Sequence, residues 1–385
     1  MSTEPPQPTE VHQDLAALRK HYSDRARNRA MKVEDRWHQL RLNMARKRGQ
    51  NVTVLSLAGY GSPRWVRVFS RIVMAPDSHF EGGRRVAKVI ADGVRGWRNF
   101  VSAPVPFAEV TARVAGHEYR LTADRGGIVD QMIELPAGAQ LEPGWRSVTL
   151  EAPGAEPTSA EVQIISDEVT DGIICDIDDT VVVTKLPRPL LAAWNSFVLD
   201  EHARTPTPGM AVMMERLLQA SPGSPVIYVS TGAWNVAQTL TRFLTRNLYP
   251  FGPLLLTDWG PTEDRWFRSG QRHKVEQLAR LAQEFPQIRW ILIGDDGQHD
   301  PSIYADFARK HPASVKAVVI RELTYSEAVL AGGRAEQPHG EELLKVTETG
   351  EHPPGIQKVG EHRIPWIYGP DGKDISETLT QHGLL

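Results

Sequence analysis

The sequence predicts a doubly wound α/β domain over residues 166–330, preceded by a small β-rich module over 51–165 and an N-terminal amphipathic helix within 1–50. Three patterns carry this reading. GIICDID, PVIYVST, IRWILIG and VKAVVI are short, continuous apolar runs separated by helix-length segments. Buried parallel strands alternating with helices leave that trace. EVTARVAGHEYRLTADRGGIVDQMIEL instead alternates apolar and polar residues and breaks at Gly116 and at Gly126-Gly127, as antiparallel hairpins do. Leu15, Leu18, Tyr22, Ala26, Ala30, Val33, Trp37, Leu40 and Met44 recur at helical spacing, which makes one apolar stripe.

Taken in order, residues 1–12 are polar and proline-rich and read as a disordered tail, with no apolar core of a signal peptide. The helix runs to near Gly49 and is basic on its other faces, with 11 Lys/Arg against three acids between Leu15 and Arg48. Two readings stand: a helix docked on its own protein with a solvated basic face, or a surface that attracts anionic lipid head groups. Within 51–165, VTVLSL and RWVRVFSRIVM read as strands, 84–100 as a helix, and PAGAQLEPGW and EAPGAEPTSA as loops. An Ig-like or transthyretin-like module fits that pattern, and it contains no catalytic constellation. Residues 331–385, rich in Gly, Pro and Glu, read as a mostly loop-like C-terminal extension with a short helix near 375–379.

A chain of 385 residues implies two or three domains. The net charge of −3 gives no footprint for nucleic acid. Cys175 is the single cysteine, which excludes an internal disulfide and fits a reducing, cytoplasmic setting. Nothing approaches the ~18 consecutive apolar residues of a membrane span, so the expectation is a soluble protein, peripheral at most.

The chemistry concentrates where strands should end. Ile173-Ile174-Cys175-Asp176-Ile177-Asp178-Asp179-Thr180 is an apolar strand running into three carboxylates. Burying them among apolar residues without counter-charge is costly, so they belong at the strand's carboxyl end, the edge at which open α/β sheets bind ligands. On an extended backbone Asp176 and Asp178 share a side, an arrangement suited to a cation, a nucleophile and a proton shuttle. A solvated acidic turn is the alternative. Val226-Ile227-Tyr228-Val229 leads into Ser230-Thr231-Gly232, whose donors suit a phosphoryl oxygen or simply cap a helix. His273-Lys274 opens an apolar-periodic helix with Val275, Leu278 and Leu281; Lys274 reads as a phosphate neutraliser or as a surface lysine. Ile291-Leu292-Ile293 enters Gly294-Asp295-Asp296-Gly297-Gln298-His299-Asp300, a second acidic strand end. Carboxylates gathered on one edge suit a divalent cation, and an all-oxygen set favours Mg²⁺ over zinc.

The order D-x-D-x-T, then Ser/Thr, then Lys, then GDxxxxD is the motif set of the haloacid dehalogenase (HAD) phosphatases. CDIDDTVVVT, YVSTGAWN, GPLLLTDWG, His273-Lys274 and GDDGQHDPSIY further resemble App1-type phosphatidate phosphatases, whose catalytic domain is similar to that of lipins. The resemblance covers about 160 residues. It implies a Mg²⁺-dependent phosphomonoester hydrolase, acting on phosphatidate to give diacylglycerol. In it Asp176 is the nucleophile and Asp178 the general acid and base, while Ser230 and Lys274 hold phosphoryl oxygens with Thr231 and Gly232 beside them. Mg²⁺ would lie on Asp176, the Asp178 carbonyl and Asp295, with Asp300 further out. A soluble phosphomonoester substrate is the nearest alternative; a non-enzymatic lipid-binding protein on a phosphatase fold is the other.

Two departures stand out: Asp296 replaces the serine usual in relatives, and Ser-Thr-Gly-Ala-Trp lacks their proline. Neither removes a catalytic group. Between 184 and 209 the insertion is short, so the site is expected to be open. Lys185, Arg188 and Arg204 are candidate head-group contacts. Trp194, Trp234 and Trp259 either line an acyl-chain mouth or pack in the core.

Overall fold

A computed structural model describes residues 40, 42–45, 47–75, 102–184, 204–257, 263–297, 299–324, 327 and 355–385. Most of the N-terminal helix, the helix expected over 84–100, and Lys185, Arg188, Trp194 and Trp259 lie outside them.

The first eight strands make one sheet: β1 Asn51–Ser62, β2 Trp65–Ala75, β3 Ala103–Pro104, β4 Glu109–Val114, β5 His117–Thr122, β6 Ile128–Glu134, β7 Gly144–Glu151 and β8 Thr158–Ile164. Its order is β3-β2-β1-β8-β7-β4-β5, with β6 paired to β2. Only the β1–β8 pairing is parallel. Alternating burial along β4 and β8 puts Val110, Ala112, Val114, Ala160 and Val162 inside, as a period of two requires.

The remaining strands are β9 Asp171–Asp176, β10 Val182–Thr184, β11 Arg204–Pro206, β12 Val226–Ala233, β13 Leu254–Thr257, β14 Arg289–Asp295, β15 Val315–Arg321, β16 Ile356–Val359 and β17 His362–Gly369. With them come α1 Met210–Ala220, α2 Ala237–Arg246, α3 Glu263–Glu284, α4 Asp300–Lys310 and α5 Gly372–Gln381. Seven strands form a second sheet in the order β13-β12-β9-β14-β15-β17-β16. Its pairings are parallel except for β16–β17. This is a mixed α/β architecture. The chain winds outward from β9 through β12 to β13, then returns to β14 on the other side of β9. That reversal opens a crevice at the carboxyl end of β9, where such sheets bind ligands.

The continuous apolar runs are the buried strands: Ile173, Ile174, Val226, Ile227, Leu292, Ile293, Val318 and Val319 all lie in one core. In α1, Met210, Met213, Met214 and Leu217 are buried at three- and four-residue spacing. The loop-like reading of the C-terminal extension is corrected over 356–381. There β17 pairs with β15, and α5 packs on α1 and β17. Ile364, Trp366, Ile367, Ile375 and Leu379 are core residues. The mixed polar sequence hid a strand whose place in the sheet comes from long-range pairing with β15.

The two sheets share one seam. Tyr60, Phe69 and Ile128 of the first belong to the core of the second. Tyr60 and Trp65 pack with Phe285, and Phe69 stacks on Trp234 at 5.7 Å between centroids. Trp234 thus takes the core-packing role. Arg67 bridges Asp130 and Glu284 at 2.5 and 2.6 Å, and Arg280 reaches Asp130 at 2.8 Å. Helix α3 is therefore gripped by the β module at one end; it begins at Glu263 rather than opening at His273-Lys274, so Lys274 lies in its middle.

At the N-terminal edge, residues 40, 42–45 and 47 are helical. Leu42 and Ala45 are buried against Met74 and Ala103, whereas Leu40 and Met44 are exposed. The face that docks is thus not the face carrying the last two stripe residues.

Candidate active site

Asp176 ends β9 and is buried. Its Oδ1 accepts from Lys274 Nζ at 2.7 Å, and the same ammonium reaches Asp300 Oδ1 at 2.5 Å. Thr180 Oγ1 lies 3.2 Å from Asp176 Oδ2 and 3.4 Å from Asp295 Oδ2. Carboxylate oxygens of Asp176, Asp295 and Asp300 all fall within 4.8 Å of one another. Four elements meet here: β9, the end of β14, the middle of α3 and the first turn of α4.

The local sequence explains the convergence. Asp179 adopts φ 59°, a left-handed conformation that costs most residues on the order of 1–2 kcal/mol but that Asp tolerates. It turns the chain so that Val181 and Val182 amides donate to the Ile177 carbonyl. At Gly294, a Cβ would stand 2.4 Å from Asp300 Oδ2 and 2.8 Å from the Tyr304 ring. Only glycine lets α4 bring Asp300 so close to β14. The Tyr304 hydroxyl donates to the Ile293 carbonyl at 3.0 Å, tying α4 to the strand.

Asp178 and Ser230 face each other across the crevice, the Ser230 hydroxyl donating to Asp178 Oδ2 at 2.9 Å. Gly232 N donates to Ser230 Oγ at 2.9 Å, so Ser230 shapes the turn after β12 as well as facing Asp178. Thr231 is half-buried, and its methyl lies where α3 passes at Gly270.

The electrostatics are those of a site built for a cation. Burial raises the pKa of Asp176, and Asp300 and Asp178 add to the rise; Lys274 opposes it, and the net result lies well above the usual carboxylate range. Asp295 is likewise raised, by burial first and then by Asp300 and Asp176. Lys274 is held protonated: burial disfavours its charge, but Asp176 and Asp300 outweigh that. Three buried carboxylates cluster around one ammonium that is in contact with two of them, Asp176 and Asp300, and Asp300 Oδ2 is buried without a hydrogen-bond partner. Such a set is compatible with a divalent metal ion and is costly without one.

The described structure brings together Asp176, Asp178, Ser230, Lys274, Asp295 and Asp300. It leaves Lys185 and Arg188 outside the described residues and places Arg204 at the start of β11. The Asp296 carboxylate accepts from the Leu323 amide at 2.8 Å, which anchors the loop after β15. Two contributors were not legible as such. Thr180 bridges Asp176 and Asp295. Arg321 is a buried guanidinium at the end of β15; the run VKAVVIR offers no hint that its last residue turns inward.

Comparison with known proteins bears on this edge of the sheet. Residues 171–322 match the family model described as phosphatidate phosphatase APP1, catalytic domain, and the span takes in every residue of the cluster. Residues 171–322 are thus similar to the App1 catalytic domain. Among curated relatives, phosphatidate phosphatase APP1 of Saccharomyces cerevisiae is 25% identical over 151 residues, 39% of this chain and 25% of that protein. An uncharacterized protein of Schizosaccharomyces pombe is 26% identical over 160 residues, with the same coverage of each. The chain thus spans about a quarter of the length of these relatives. A carbohydrate acetylesterase of Xanthomonas citri is 11% identical over 71% of this chain and 68% of its own, with a TM-score of 0.24; a likeness that slight carries no weight. The App1-type domain ends within the loop after β15, so β16, β17 and α5 lie beyond the match.

Proposed function

We propose that the chain is a Mg²⁺-dependent phosphatase that hydrolyses a phosphomonoester, phosphatidate above all, through an aspartyl-phosphate on Asp176. The observation that carries this is the buried cluster of Asp176, Lys274, Asp295 and Asp300 at the carboxyl edge of an App1-type domain. On this reading the parallel sheet is a doubly wound HAD-like domain over 166–330, completed by strands from 331–385. Residues 51–165 are an Ig- or transthyretin-like module, and 1–50 a tail and basic helix.

Asp176 attacks phosphorus while the bond to the substrate oxygen breaks, and Asp178 gives that leaving alkoxide its proton. Asp178 then takes a proton from water as the water attacks the phospho-aspartate, which frees phosphate and restores Asp176. Ser230 and Lys274 hold the phosphoryl oxygens, with Thr231 and Gly232 forming the turn beneath them. Asp176, Asp295 and Asp300, with the Asp178 carbonyl, would hold Mg²⁺, which supplies neutralisation of the phosphoryl charge. Asp178 is well placed for its role because the Ser230 hydroxyl already orients its carboxylate.

Metal removal should leave a signature besides lost activity. Asp176 and Asp295 have folded-state pKa values above the ordinary carboxylate value of about 3.9. Their contribution to stability is therefore full below that value and is lost as pH rises through the folded pKa. Metal-free protein should have a lower melting temperature at neutral than at mildly acidic pH, and Mg²⁺ should restore more at the higher pH. Equal Mg²⁺ shifts at both pH values, or none, would remove the metal from these carboxylates.

No described helix is long and apolar enough to cross a membrane, so a lipid substrate must be met at a surface. The N-terminal helix is the proposed contact: it carries 11 basic residues against three acids between Leu15 and Arg48, and Leu40 and Met44 face outward. Each basic residue near an anionic surface contributes on the order of 1 kcal/mol, screened within a Debye length. The protein should sediment with phosphatidate vesicles at low salt and release at high salt. Deleting residues 1–39, which spares Leu42 and Ala45, should lower activity on vesicles and not on a soluble phosphomonoester. Parallel loss on both would show that the helix serves the fold alone.

A further inference from the structure

We infer that Arg321 is a positioning residue for the reaction, holding the loop that presents Asp178 and Thr180; the inference rests on the phosphatase reading of this site. Arg321 ends β15, and its backbone pairs in register with Asp295 at the end of β14. It is 3% exposed. Its guanidinium is fully engaged in three directions. Nη1 donates to the Asp179 carbonyl at 2.6 Å, Nε to the Pro370 carbonyl at 3.3 Å, and Nη2 to Glu327 Oε1 at 2.8 Å.

The Asp179 carbonyl is the point of leverage. It belongs to the same rigid peptide unit as the Thr180 amide. Fixing its direction fixes the plane from which Thr180 reaches Asp176 and Asp295. On the other side of the left-handed Asp179 stands Asp178, aligned with Ser230. A left-handed turn at a residue with a side chain persists only where its surroundings over-determine it. Two ties do so here: the Asp179 amide donates to the Val182 carbonyl at 2.9 Å, and Arg321 takes the carbonyl.

The chemistry selects arginine. A planar guanidinium serves three acceptors in different directions, whereas an ammonium on a flexible stem cannot hold all three at this geometry. Glu327 supplies the counter-charge a buried guanidinium requires, and itself accepts from the Thr324 amide at 2.9 Å. The clamp thus ties the catalytic loop to β15, to the loop before α5 and to the segment around Glu327. Arg321 contacts none of the reacting groups, so its effect passes through Asp179.

The test compares wild type with Arg321→Lys and Glu327→Gln, using p-nitrophenyl phosphate with saturating Mg²⁺. Lys316→Met serves as a control, since Lys316 forms a comparable half-buried pair with Asp171 at the opposite end of the sheet. Misplacement of the loop by a fraction of an ångström should lower kcat per folded molecule about 30- to 100-fold in Arg321→Lys, with KM changed less than about threefold. Glu327→Gln, which keeps a hydrogen bond and loses the charge, should lower kcat about three- to tenfold. Lys316→Met should lose stability without loss of kcat per folded molecule. Hydrogen exchange of peptides spanning 176–184 should accelerate about tenfold or more in Arg321→Lys. Wild-type kcat per folded molecule in both Arg321→Lys and Glu327→Gln overturns the inference, and so does a fall in kcat with unchanged exchange. If Arg321→Lys does not fold, Glu327→Gln decides by the same two readouts. A wild type that turns over no phosphomonoester refutes the phosphatase reading instead, and the exchange arm alone then decides whether Arg321 holds the loop.

Discussion

Asp176→Asn is expected to reduce turnover on the order of 10⁴-fold or more while leaving the melting temperature within a few degrees of wild type. An amide is nearly isosteric with the carboxylate but cannot form the phospho-enzyme. Lys274 keeps Asp300 at 2.5 Å and can donate to the amide oxygen, while the amide NH2 can donate to the Thr180 hydroxyl, which keeps Asp295 as its own acceptor. The substitution also removes one of three buried carboxylates, so metal-free protein should become no less stable, and more stable at neutral pH. Phosphate release and thermal denaturation, each with and without Mg²⁺, check both halves. Retention of more than a tenth of wild-type activity would exclude Asp176 as nucleophile.

Lys274→Met is expected to cost about 10³-fold in turnover, because the variant loses the fixed positive charge that meets the phosphoryl oxygens. It also differs from Asp176→Asn in kind. Lys274 is 5% exposed and touches both Asp176 and Asp300, and breaking a buried pair from one side costs about 3–5 kcal/mol. The destabilisation should be largest in chelator at neutral pH and should shrink as pH falls. Asp176, which it strands, and the neighbouring Asp295 have folded pKa values raised chiefly by burial, and protonation removes unpaired charge from the cluster. A Lys274→Met protein as stable as wild type at neutral pH, or within tenfold of its activity, would reduce Lys274 to a bystander.

Much of this site is legible in the sequence because buried parallel strands leave an unusually plain record. Each strand that leads into the candidate site is a continuous apolar run, and a carboxylate or hydroxyl directly after such a run must lie at the sheet edge. Asp176, Ser230 and Asp295 are found that way, and α3 is found from its apolar period, which brings Lys274 with it. The features that escaped depend on partners remote in the chain. Strand β17, HRIPWIYG, contains a proline and mixes polar with apolar residues, and it is buried by pairing with β15 and β16 and by the packing of α5. Arg321 closes an apolar strand like any surface residue; its role exists only because the Asp179 carbonyl, 142 positions away, points at it. Asp296, adjacent in sequence to Asp295 of the acidic cluster, accepts instead from the Leu323 amide. At the N-terminal helix, spacing alone could not decide which of two neighbouring faces docks, and the module takes Leu42 and Ala45 rather than Leu40 and Met44.

The most direct test of the central claim is release of inorganic phosphate from phosphatidate vesicles by the full chain, with Mg²⁺ and with chelator. Wild type and Asp176→Asn should be run in parallel on p-nitrophenyl phosphate and a sugar phosphate. The account predicts Mg²⁺-dependent release from phosphatidate that exceeds release from either soluble phosphomonoester and disappears in Asp176→Asn. Undiminished release in chelator, or release that survives the loss of the Asp176 carboxylate, would contradict it.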